Sequence, residues 1–557
     1  MNLLENKYVI SAYLLLAAVY VAGLFIPLMN NDAGEYSVVA LNMAKNNDYI
    51  NIVRKGEDYL DKPHLLFWLS ALSYEVFGVN GFAYKFHSLL FSVIAIFSTT
   101  RLASILFNRQ TGILAGLVLG FSQAFIIANY DVRTDAILTG ATIFSIYQFI
   151  LFSHNKKYIH IIGGALGLAL AVGTKGMIAV IVTGTVIVIH MMYLKRIKEI
   201  VNWKWLSSIL WFFIFLSPFL FCYYLQFDSH PEKTTNGVKG MSGIKFLLWT
   251  QSFERLAGQR NMVNSSDPLF FLHTFLWAFL PWSIIAYYET IRDWIIIIKN
   301  KFRITDSVQF CLSGAAVLVM ILMSTSKFKL PHYINIIFPL FAIITAKAIS
   351  RFIEKKRSLP SWVKTFFYVV CIIYIVAGII LNVWAFPMQN ILMIICALLA
   401  CVVLVFLFFK NRYHPLQIFF YTLYTVGIVN FFLNINFFPK VLQYQGSIGM
   451  ADYFNQNKLP PEKIGSFTSR FYYAFDFYIE KDIPGTDIQQ IRQKISNNES
   501  FYLLTDHIRK PELLAAGIPF TTIHTVHQFH VSRLNLKFID PSTRNASLDS
   551  LTLLKIN

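Results

Sequence analysis

Charged residues are scarce in this chain. Only 14% of its 557 residues are Asp, Glu, Lys or Arg, whereas 56% are hydrophobic and the mean hydropathy is +0.53. Ordinary soluble proteins do not combine these values. The composition therefore excludes a typical soluble domain and predicts a mostly α-helical, polytopic membrane protein.

Cysteine is also rare, and acidic residues are outnumbered by basic ones. The five cysteines all fall inside apolar segments, at Cys222, Cys311, Cys371, Cys396 and Cys401, so no disulfide framework is expected. The formal net charge is +18, but most basic residues lie in short connections between apolar runs. This distribution is typical of orientation in a membrane and not of nucleic-acid binding.

The first apolar run, residues 8–29, lacks a small-residue cleavage site and is longer than the apolar part of a signal peptide. We therefore expect it to remain as a first span. Runs of about 17 to 25 apolar residues recur along the chain. They predict thirteen spans, near 8–29, 86–107, 111–129, 134–153, 158–173, 176–194, 205–227, 269–297, 308–325, 331–350, 362–386, 389–409 and 414–438.

Alternate connections between these spans are rich in Lys and Arg, which marks their side of the membrane as cytoplasmic. The N-terminus is then cytoplasmic, and the exoplasmic side receives the first loop, residues 30–85, and the chain after about residue 440. We predict a transmembrane catalytic domain over 1–440 and a small soluble α/β domain over 441–557. Its predicted helices are GSIGMADYFNQN, TDIQQIRQKISNN and HIRKPELLAAG, and its predicted strands are KIGSF, SFYLLTD, PFTTIHTV and FHVSRL.

The first loop contains two short amphipathic segments. In GEYSVVALNMAKN, Tyr36, Val39, Ala40 and Met43 follow a helical spacing, and the run from Leu65 to Phe77 is apolar nearly all round. That second run is too short to cross a bilayer, which needs about 20 residues. Both segments are predicted to be helices that lie in the plane of the membrane interface.

Charged and polar side chains collect on the exoplasmic side, where the positive-inside rule disfavours cations. They are Asp32, Glu35, Asp61, Lys62, Arg133, Asp135, Lys175, Lys327, Lys329, His332 and Tyr333. Each alone is typical of a salt-bridged or snorkelling residue, but their convergence favours a site. Ammonium groups can bind a lipid phosphate and stabilise the charge that grows on a leaving oxygen, and a carboxylate can accept the proton of an attacking hydroxyl. The pattern thus predicts transfer of a group from a lipid phosphate.

Several ordered motifs carry a family resemblance. They are Asp32 with Tyr36, then YLDKPHLLFWL, FGVNGFAYKFHSLL, the Arg133-Thr134-Asp135 element, GTKG, FLPWS and SKFKLPHY. Over residues 8–350 the chain resembles the C-type glycosyltransferase superfamily, in the branch of aminoarabinose transferases and bacterial protein-mannosyltransferase-like enzymes.

The resemblance implies an enzyme that takes a sugar from a polyprenyl phosphate and transfers it to an acceptor at the outer face of the bacterial inner membrane. It implies that Asp32 is the catalytic carboxylate, that Asp135 is a further acid beside it, and that Lys62 and Lys175 contact the donor phosphate. Tyr36 is expected to assist them, and we assign Arg133 to the same donor-binding group.

The chain also departs from the family pattern. The family commonly has adjacent Asp and Glu where this chain has Asp32-Ala33-Gly34-Glu35, so the second carboxylate is displaced to Glu35. In the family, the residue before the lysine that matches Lys62 is often Glu, whereas this chain has Asp61. Binding of a divalent metal at Asp61 therefore stays open, and no other cofactor is expected. Glu254 and Arg255, in SFERLAGQR, stand where relatives carry a similar pair.

The acceptor stays open between a lipid A phosphate and a hydroxyl of a protein or a glycan. A protein O-glycosyltransferase or a transferase acting on surface polysaccharide is therefore the alternative enzyme. A transporter or flippase is the alternative of another class. It is disfavoured because transporters place charges near the midplane and show inverted repeats, whereas this chain concentrates its charges at one interface.

Overall fold

The computed structural model describes residues 7–235, 237–254, 264–302, 307–354, 359–409 and 415–556. Most of the part before residue 433 is a bundle of helices. They are α1 (Lys7–Leu24), α2 (Asp32–Asn46), α3 (Leu65–Phe77), α4 (Gly81–Leu106), α5 (Arg109–Gly120), α6 (Gln123–Ile127), α7 (Asp135–Asn155), α8 (Ile159–Lys175), α9 (Ile178–Tyr193), α10 (Trp203–Tyr223), α11 (Gly243–Lys245), α12 (Phe270–Ala278), α13 (Ser283–Lys299), α14 (Ser307–Ser324), α15 (Phe338–Glu354), α16 (Ser361–Ile379), α17 (Ile391–Phe409) and α18 (Pro415–Phe432). This architecture confirms the predicted polytopic helical fold.

Within the described ranges, eight helical segments are long and apolar enough to cross a membrane. They are Lys7–Leu24, Gly81–Leu106, Asp135–Asn155, Trp203–Asp228, Pro331–Ile353, Ser361–Ala385, Ile391–Phe409 and Leu416–Gln443. The other predicted spans correspond to shorter or interrupted helices. The run 111–129 divides into α5 and α6. The run 269–297 divides into α12 and α13 around Pro281, and an interior proline removes a helical hydrogen bond and favours such a kink or break.

The first loop forms a small layer on one end of this bundle. Helix α2 begins where the Asn31 side chain accepts a hydrogen bond from the Ala33 amide, a standard N-cap. Between α2 and α3 the chain forms a hairpin of β1 (Val53–Arg54) and β2 (Glu57–Asp58). Helix α3 buries Leu66 and Phe67 completely. Both short helices were predicted, but the hairpin was not.

A second hairpin lies beyond α10. Its strands are β3 (Thr234–Thr235) and β4 (Val238–Lys239), which pair antiparallel. It is followed by α11 and by a π-helical segment, Phe246–Glu254. A 3-10 helix, Pro331–Ile337, leads into α15. These segments all contribute to the end of the bundle that carries the first loop.

The chain after residue 437 folds into a four-stranded sheet with short helices. The strands are β5 (Ile464–Phe467), β6 (Phe501–Asp506), β7 (Thr521–Gln528) and β8 (Asp549–Ile556), in the order β5-β6-β8-β7. The helices are α19 (Phe438–Gln443), α20 (Ser447–Gln456), α21 (Tyr473–Tyr478), α22 (Ile488–Ser496), α23 (Lys510–Ala515) and α24 (Leu536–Ile539). The predicted strand in FHVSRL is wrong, because Val531–Arg533 is a 3-10 helix, and β8 was not predicted.

This C-terminal segment packs directly on the first loop. Gly34 in α2 lies so close to α21 that a Cβ added there would stand 3.1 Å from Tyr473 Cβ and 2.9 Å from the Met29 carbonyl oxygen. Next to it the Leu28 amide donates to the Tyr478 hydroxyl. The sequence Asp32-Ala33-Gly34-Glu35 is therefore suited to this close contact.

A buried group of charges completes the contact. The Lys55 ammonium, in the turn of the β1–β2 hairpin, pairs with both Asp476 and Asp482. All three side chains are nearly inaccessible, at 12%, 3% and 8% exposure. Burial raises the pKa of Asp476 to about 7, and the charge of Asp482 adds to the rise, against the lowering by Lys55.

The raised pKa of Asp476 predicts that the fold loses stability as pH rises from 3.8, the ordinary pKa of this group, to about 7, and that stability changes little above about 7. A carboxyl whose pKa is raised in the folded state favours the fold below its ordinary pKa, and that contribution is lost as pH rises through about 7. Asp476→Asn is expected to remove most of the resulting decline in melting temperature, measured by scanning fluorimetry at each pH. The exposed Asp452 in α20 gives the control, Asp452→Asn. Equal pH profiles for wild type and Asp476→Asn would contradict this account.

Candidate active site

Three helix ends meet at the face of the bundle that carries the first loop. Helix α2 begins at Asp32, α7 begins at Asp135, and α8 ends at Lys175. Acids are favourable at helix N-termini and cations at C-termini because of the helix dipole. Each of these side chains therefore occupies the helix end that suits its charge, and the ends converge although the residues are far apart in sequence.

A series of polar side chains, each within 3.9 Å of the next, joins them. Arg133 Nη1 lies 3.2 Å from Asp32 Oδ2 and 3.3 Å from His332 Nδ1. On the other side of the imidazole, His332 Nε2 is 3.9 Å from Asp135 Oδ2, and Lys175 Nζ donates to Asp135 Oδ1 at 2.9 Å. Arg133 and His332 thus connect the predicted catalytic acid to the predicted phosphate-binding lysine.

Aromatic rings lie against both lysines. Lys175 Nζ stands 4.2 Å from the centre of the Tyr333 ring, and Lys62 Nζ stands 5.9 Å from the centre of the Tyr36 ring. Cations are attracted to ring faces at such distances. Lys62 also pairs with the side chain of Asp61. Each lysine is therefore held by one carboxylate and one ring.

The two parts of the site are close enough to interact electrostatically. The charges of Asp32, Asp61 and Glu35 all act on Tyr36, and the charge of Lys62 acts on Lys175. Like charges repel more strongly at low dielectric, and an anion that lies near both of them offsets that repulsion. The arrangement of Lys62 and Lys175 is therefore favourable for an anionic group.

Exposure separates the predicted acids. The Asp32 side chain is 41% exposed, whereas Glu35 is 16% and Asp135 is 5% exposed. Glu35 pairs with Arg54, and burial raises its pKa although Arg54 lowers it. Of these three acids, Asp32 is the one that an incoming molecule can reach most easily, and Asp135 is in the position of a buried counterion for Lys175.

An apolar cavity opens beside Lys175. Its volume is about 90 Å³, and its lining consists of Leu138, Lys175, Ile178, Gln251, Ser252, Phe271, Met323, Ser326, Phe328, Tyr333 and Ile336. Most of its surface is hydrocarbon or aromatic. It suits a lipid chain whose charged end lies at Lys175.

Not every predicted lining residue joins this group. The Lys329 ammonium donates to the Asp267 carbonyl oxygen at 2.6 Å, and the Lys327 side chain is exposed. In the described ranges, neither forms an ion pair with the carboxylates of the site. Glu254 accepts a hydrogen bond from Thr250, and Arg255 lies outside the described residues.

The sequence leaves open whether Asp61 binds a divalent metal. Among the described residues, no group of three His, Cys, Asp or Glu side chains is arranged to hold a metal ion, and the Asp61 carboxylate is paired with Lys62. The residues present do not fit a metal centre, and we derive no step through one.

Sequence reasoning missed three neighbours of the site. Asp131 accepts from Arg133 at 3.1 Å and from Asn31 at 3.0 Å. Arg54 pairs with Glu35, and Gln251 donates to the Asp61 carbonyl oxygen at 2.8 Å. Asp131 could have been found, because it adjoins the Arg133 element; the contacts of Arg54 and Gln251 have no local signal.

Gly176 controls where Lys175 lies. Its φ is +77°, and an added Cβ would stand 2.8 Å from Gln251 Oε1 and 3.0 Å from Ser252 Oγ. Side chains other than glycine are strained at such a φ, by about 1–3 kcal/mol. The GTKG motif therefore requires glycine directly after the lysine.

Gly176→Ala is expected to displace the end of α8, to lower the melting temperature and to weaken binding of a polyprenyl phosphate. The control is Gly184→Ala in α9, where an added Cβ meets nothing within 4 Å and alanine favours the helix. Both variants are compared by thermal unfolding and by direct lipid binding. Equal behaviour of the two would show that the conformation at Gly176 does not position Lys175.

The chain is similar to known proteins along its sequence and in its fold. Residues 61–221 match the family described as dolichyl-phosphate-mannose-protein mannosyltransferase. A protein of Aquifex aeolicus (strain VF5), described as uncharacterized, is 27% identical over 58% of this chain and 60% of its own length. An undecaprenyl phosphate-alpha-4-amino-4-deoxy-L-arabinose arabinosyl transferase of Aeromonas hydrophila is 24% identical over 62% of this chain and 61% of its own length. The chain thus spans about three fifths of these curated relatives.

Solved structures extend the likeness over the whole chain. ArnT from Cupriavidus metallidurans bound to undecaprenyl phosphate superposes with a TM-score of 0.74 at 16% identity, covering 99% of this chain and 98% of that one. The oligosaccharyltransferase AglB from Archaeoglobus fulgidus, in complex with an inhibitory peptide and a dolichol-phosphate, gives 0.51 at 11% identity, covering 90% and 69%.

These likenesses confirm the predicted resemblance to the C-type glycosyltransferases. The protein is a multi-pass membrane protein. Within that superfamily, the resemblance is to the branch of the aminoarabinose transferases.

Proposed function

We propose that this protein is an integral membrane glycosyltransferase that moves a sugar from a polyprenyl (undecaprenyl) phosphate to an envelope acceptor such as lipid A. The reaction takes place at the outer face of the inner membrane, with the N-terminus cytoplasmic and the segment after residue 440 periplasmic. The observation that carries the proposal is the set of contacts from Asp32 through Arg133 and His332 to Asp135 and Lys175, beside an apolar cavity.

The donor lies with its polyprenyl chain toward the apolar cavity and its phosphate between Lys175 and Lys62. Tyr333 and Tyr36 orient the two ammonium groups. As the bond from the sugar's anomeric carbon to the phosphate oxygen breaks, its electrons remain on the polyprenyl phosphate. The two lysines stabilise that charge in a site that is largely shielded from water.

The acceptor oxygen forms the new bond to the anomeric carbon. When the acceptor is a hydroxyl, its proton passes to Asp32, the most exposed acid of the set and the one that Arg133 holds in place. A lipid A phosphate is already nucleophilic and needs no base, and Asp32 then orients the acceptor. Asp135 acts through Lys175 and is a positioning residue.

Residues 61–221 match a family described as a protein mannosyltransferase, and this match supports a second candidate. In that alternative the acceptor is a serine or threonine hydroxyl of an exported protein, or a hydroxyl of a surface polysaccharide. The donor site is the same in both cases, so the two candidates differ only in what reaches Asp32.

Mass spectrometry of lipid A, envelope glycans and exported proteins, with and without the gene, tests the proposal. We expect one of these classes to lose a sugar when the gene is deleted. Purified protein should also consume a polyprenyl-phosphate sugar only when that acceptor is supplied. If the envelope composition is unchanged and the purified protein does not consume the donor, the transferase proposal is refuted and the transporter alternative is favoured.

A further inference from the structure

A second, polar cleft lies between the β1–β2 and β3–β4 hairpins. Its volume is about 490 Å³, within the range of about 300–1,000 Å³ that is typical of small-molecule sites. Its lining consists of Arg54, Glu57, Asp58, Tyr59, Leu60, Asp61, Lys233, Thr234, Thr235 and Gly237. This lining contains none of the residues assigned to the donor phosphate, which are Lys62, Lys175, Tyr36 and Arg133.

The two hairpins are tied together across this cleft. Lys233 Nζ lies 3.1 Å from Asp58 Oδ2, and Gln226 Nε2 donates to Asp58 Oδ1 at 3.0 Å. Asp58 is thereby held at 22% exposure with a fixed orientation. The ion pair and the hydrogen bond therefore fix the two walls of the cleft relative to each other.

The lining combines opposite charges with hydroxyl groups. It has three carboxylates and two cations, and Thr234 and Thr235 add hydroxyls. Arg54 lies over the Tyr59 ring, 5.0 Å from its centre. Such a balanced set suits neither a phosphate nor a polycation, because either would meet repelling charges. It suits a neutral molecule with many hydroxyls, which can both donate to carboxylates and accept from cations.

The cleft reaches the proposed reaction centre at two points. Asp61 lines the cleft and pairs with Lys62, and Arg54 lines the cleft and pairs with Glu35. A ring bound in the cleft would therefore lie next to the bond that is made or broken. We propose that this cleft is a sugar-binding site, which takes a polyhydroxylated ring from the acceptor or from the donor; this inference rests on the proposed function for the reaction itself.

Binding of free methyl glycosides to the purified full chain, with no donor present, tests the site. The probes are methyl α-glucoside, methyl α-galactoside and methyl α-mannoside, observed by saturation-transfer NMR. Wild type is expected to bind at least one probe. Asp58→Ala is expected to weaken that binding about tenfold or more, as expected for the loss of a hydrogen bond to a charged group. Thr234→Val, which keeps the shape of the hairpin, should weaken it by a smaller factor.

The β3–β4 hairpin provides a matched pair of lysines. Lys233→Ala removes a lining residue, whereas Lys239→Ala removes an exposed lysine of β4 that is not part of the lining. Binding should fall in the first variant and stay unchanged in the second. Absence of probe binding by wild type, or an equal loss in both lysine variants, overturns the proposal.

Transfer kinetics then identify the source of the sugar. If the ring belongs to the acceptor, Thr234→Val raises KM for the acceptor and leaves hydrolysis of the donor unchanged. If it belongs to the donor, KM for the donor rises instead. Failure of the proposed function is distinguishable, because the protein would then bind glycosides as predicted and transfer nothing.

Discussion

Asp32→Asn is expected to lower the rate of transfer to a hydroxyl acceptor by about 10²–10⁴-fold, the usual contribution of a general base. Asparagine has nearly the same shape and still accepts the hydrogen bond from Arg133, so folding should be preserved. The substitution removes one negative charge near the phosphate site. Donor binding should therefore be equal to or tighter than that of wild type, while turnover is lost.

The measurement is single-turnover consumption of a polyprenyl-phosphate sugar, together with equilibrium binding of the polyprenyl phosphate. Asp452→Asn, at an exposed aspartate of α20, controls for loss of charge alone. Unaltered turnover by Asp32→Asn would remove Asp32 from the mechanism. Loss of binding and turnover together would instead make Asp32 a structural residue.

The second large effect is expected at the pair of Lys175 and Asp135. Lys175→Met leaves Asp135, which is 5% exposed, without its nearest cation. Breaking a buried ion pair from one side typically costs about 3–5 kcal/mol. The variant should therefore lose stability and donor binding at the same time, and these two effects need to be separated.

The double variant Lys175→Met with Asp135→Asn separates them. It removes the uncompensated charge, so most of the melting temperature should return. The polyprenyl phosphate has still lost one ammonium partner, and its affinity should remain about 10–100-fold lower. Recovery of both stability and affinity would mean that Lys175 only neutralises Asp135 and does not contact the donor.

The helical class and the location of the charged residues could be predicted from sequence for a physical reason. Asp32, Asp135 and Lys175 stand at the ends of apolar runs, and hydrocarbon thickness forces such ends to the same two surfaces. The depth of a charge at the end of such a run, measured along the membrane normal, can therefore be predicted before any fold is known. The side of the membrane then follows from the distribution of basic residues.

Contacts within that surface were not predictable in the same way. Lys55 pairs with Asp476 from a hairpin of two-residue strands, and no local pattern connects residues so far apart. Lys329, like Lys175, lies in a short connection that is predicted to be exoplasmic, yet its ammonium donates to a backbone carbonyl oxygen. In FHVSRL the residue types favour a strand, but the chain forms a 3-10 helix there.

The close approach of Gly34 to Tyr473 links the two halves of the chain in a way that limits protein engineering. A first loop transplanted from a relative with a bulkier residue at this position would collide with α21. Chimeras intended to change the acceptor should therefore exchange the loop and the tail together. Exchange of one alone is expected to produce misassembled protein before any change of specificity can be observed.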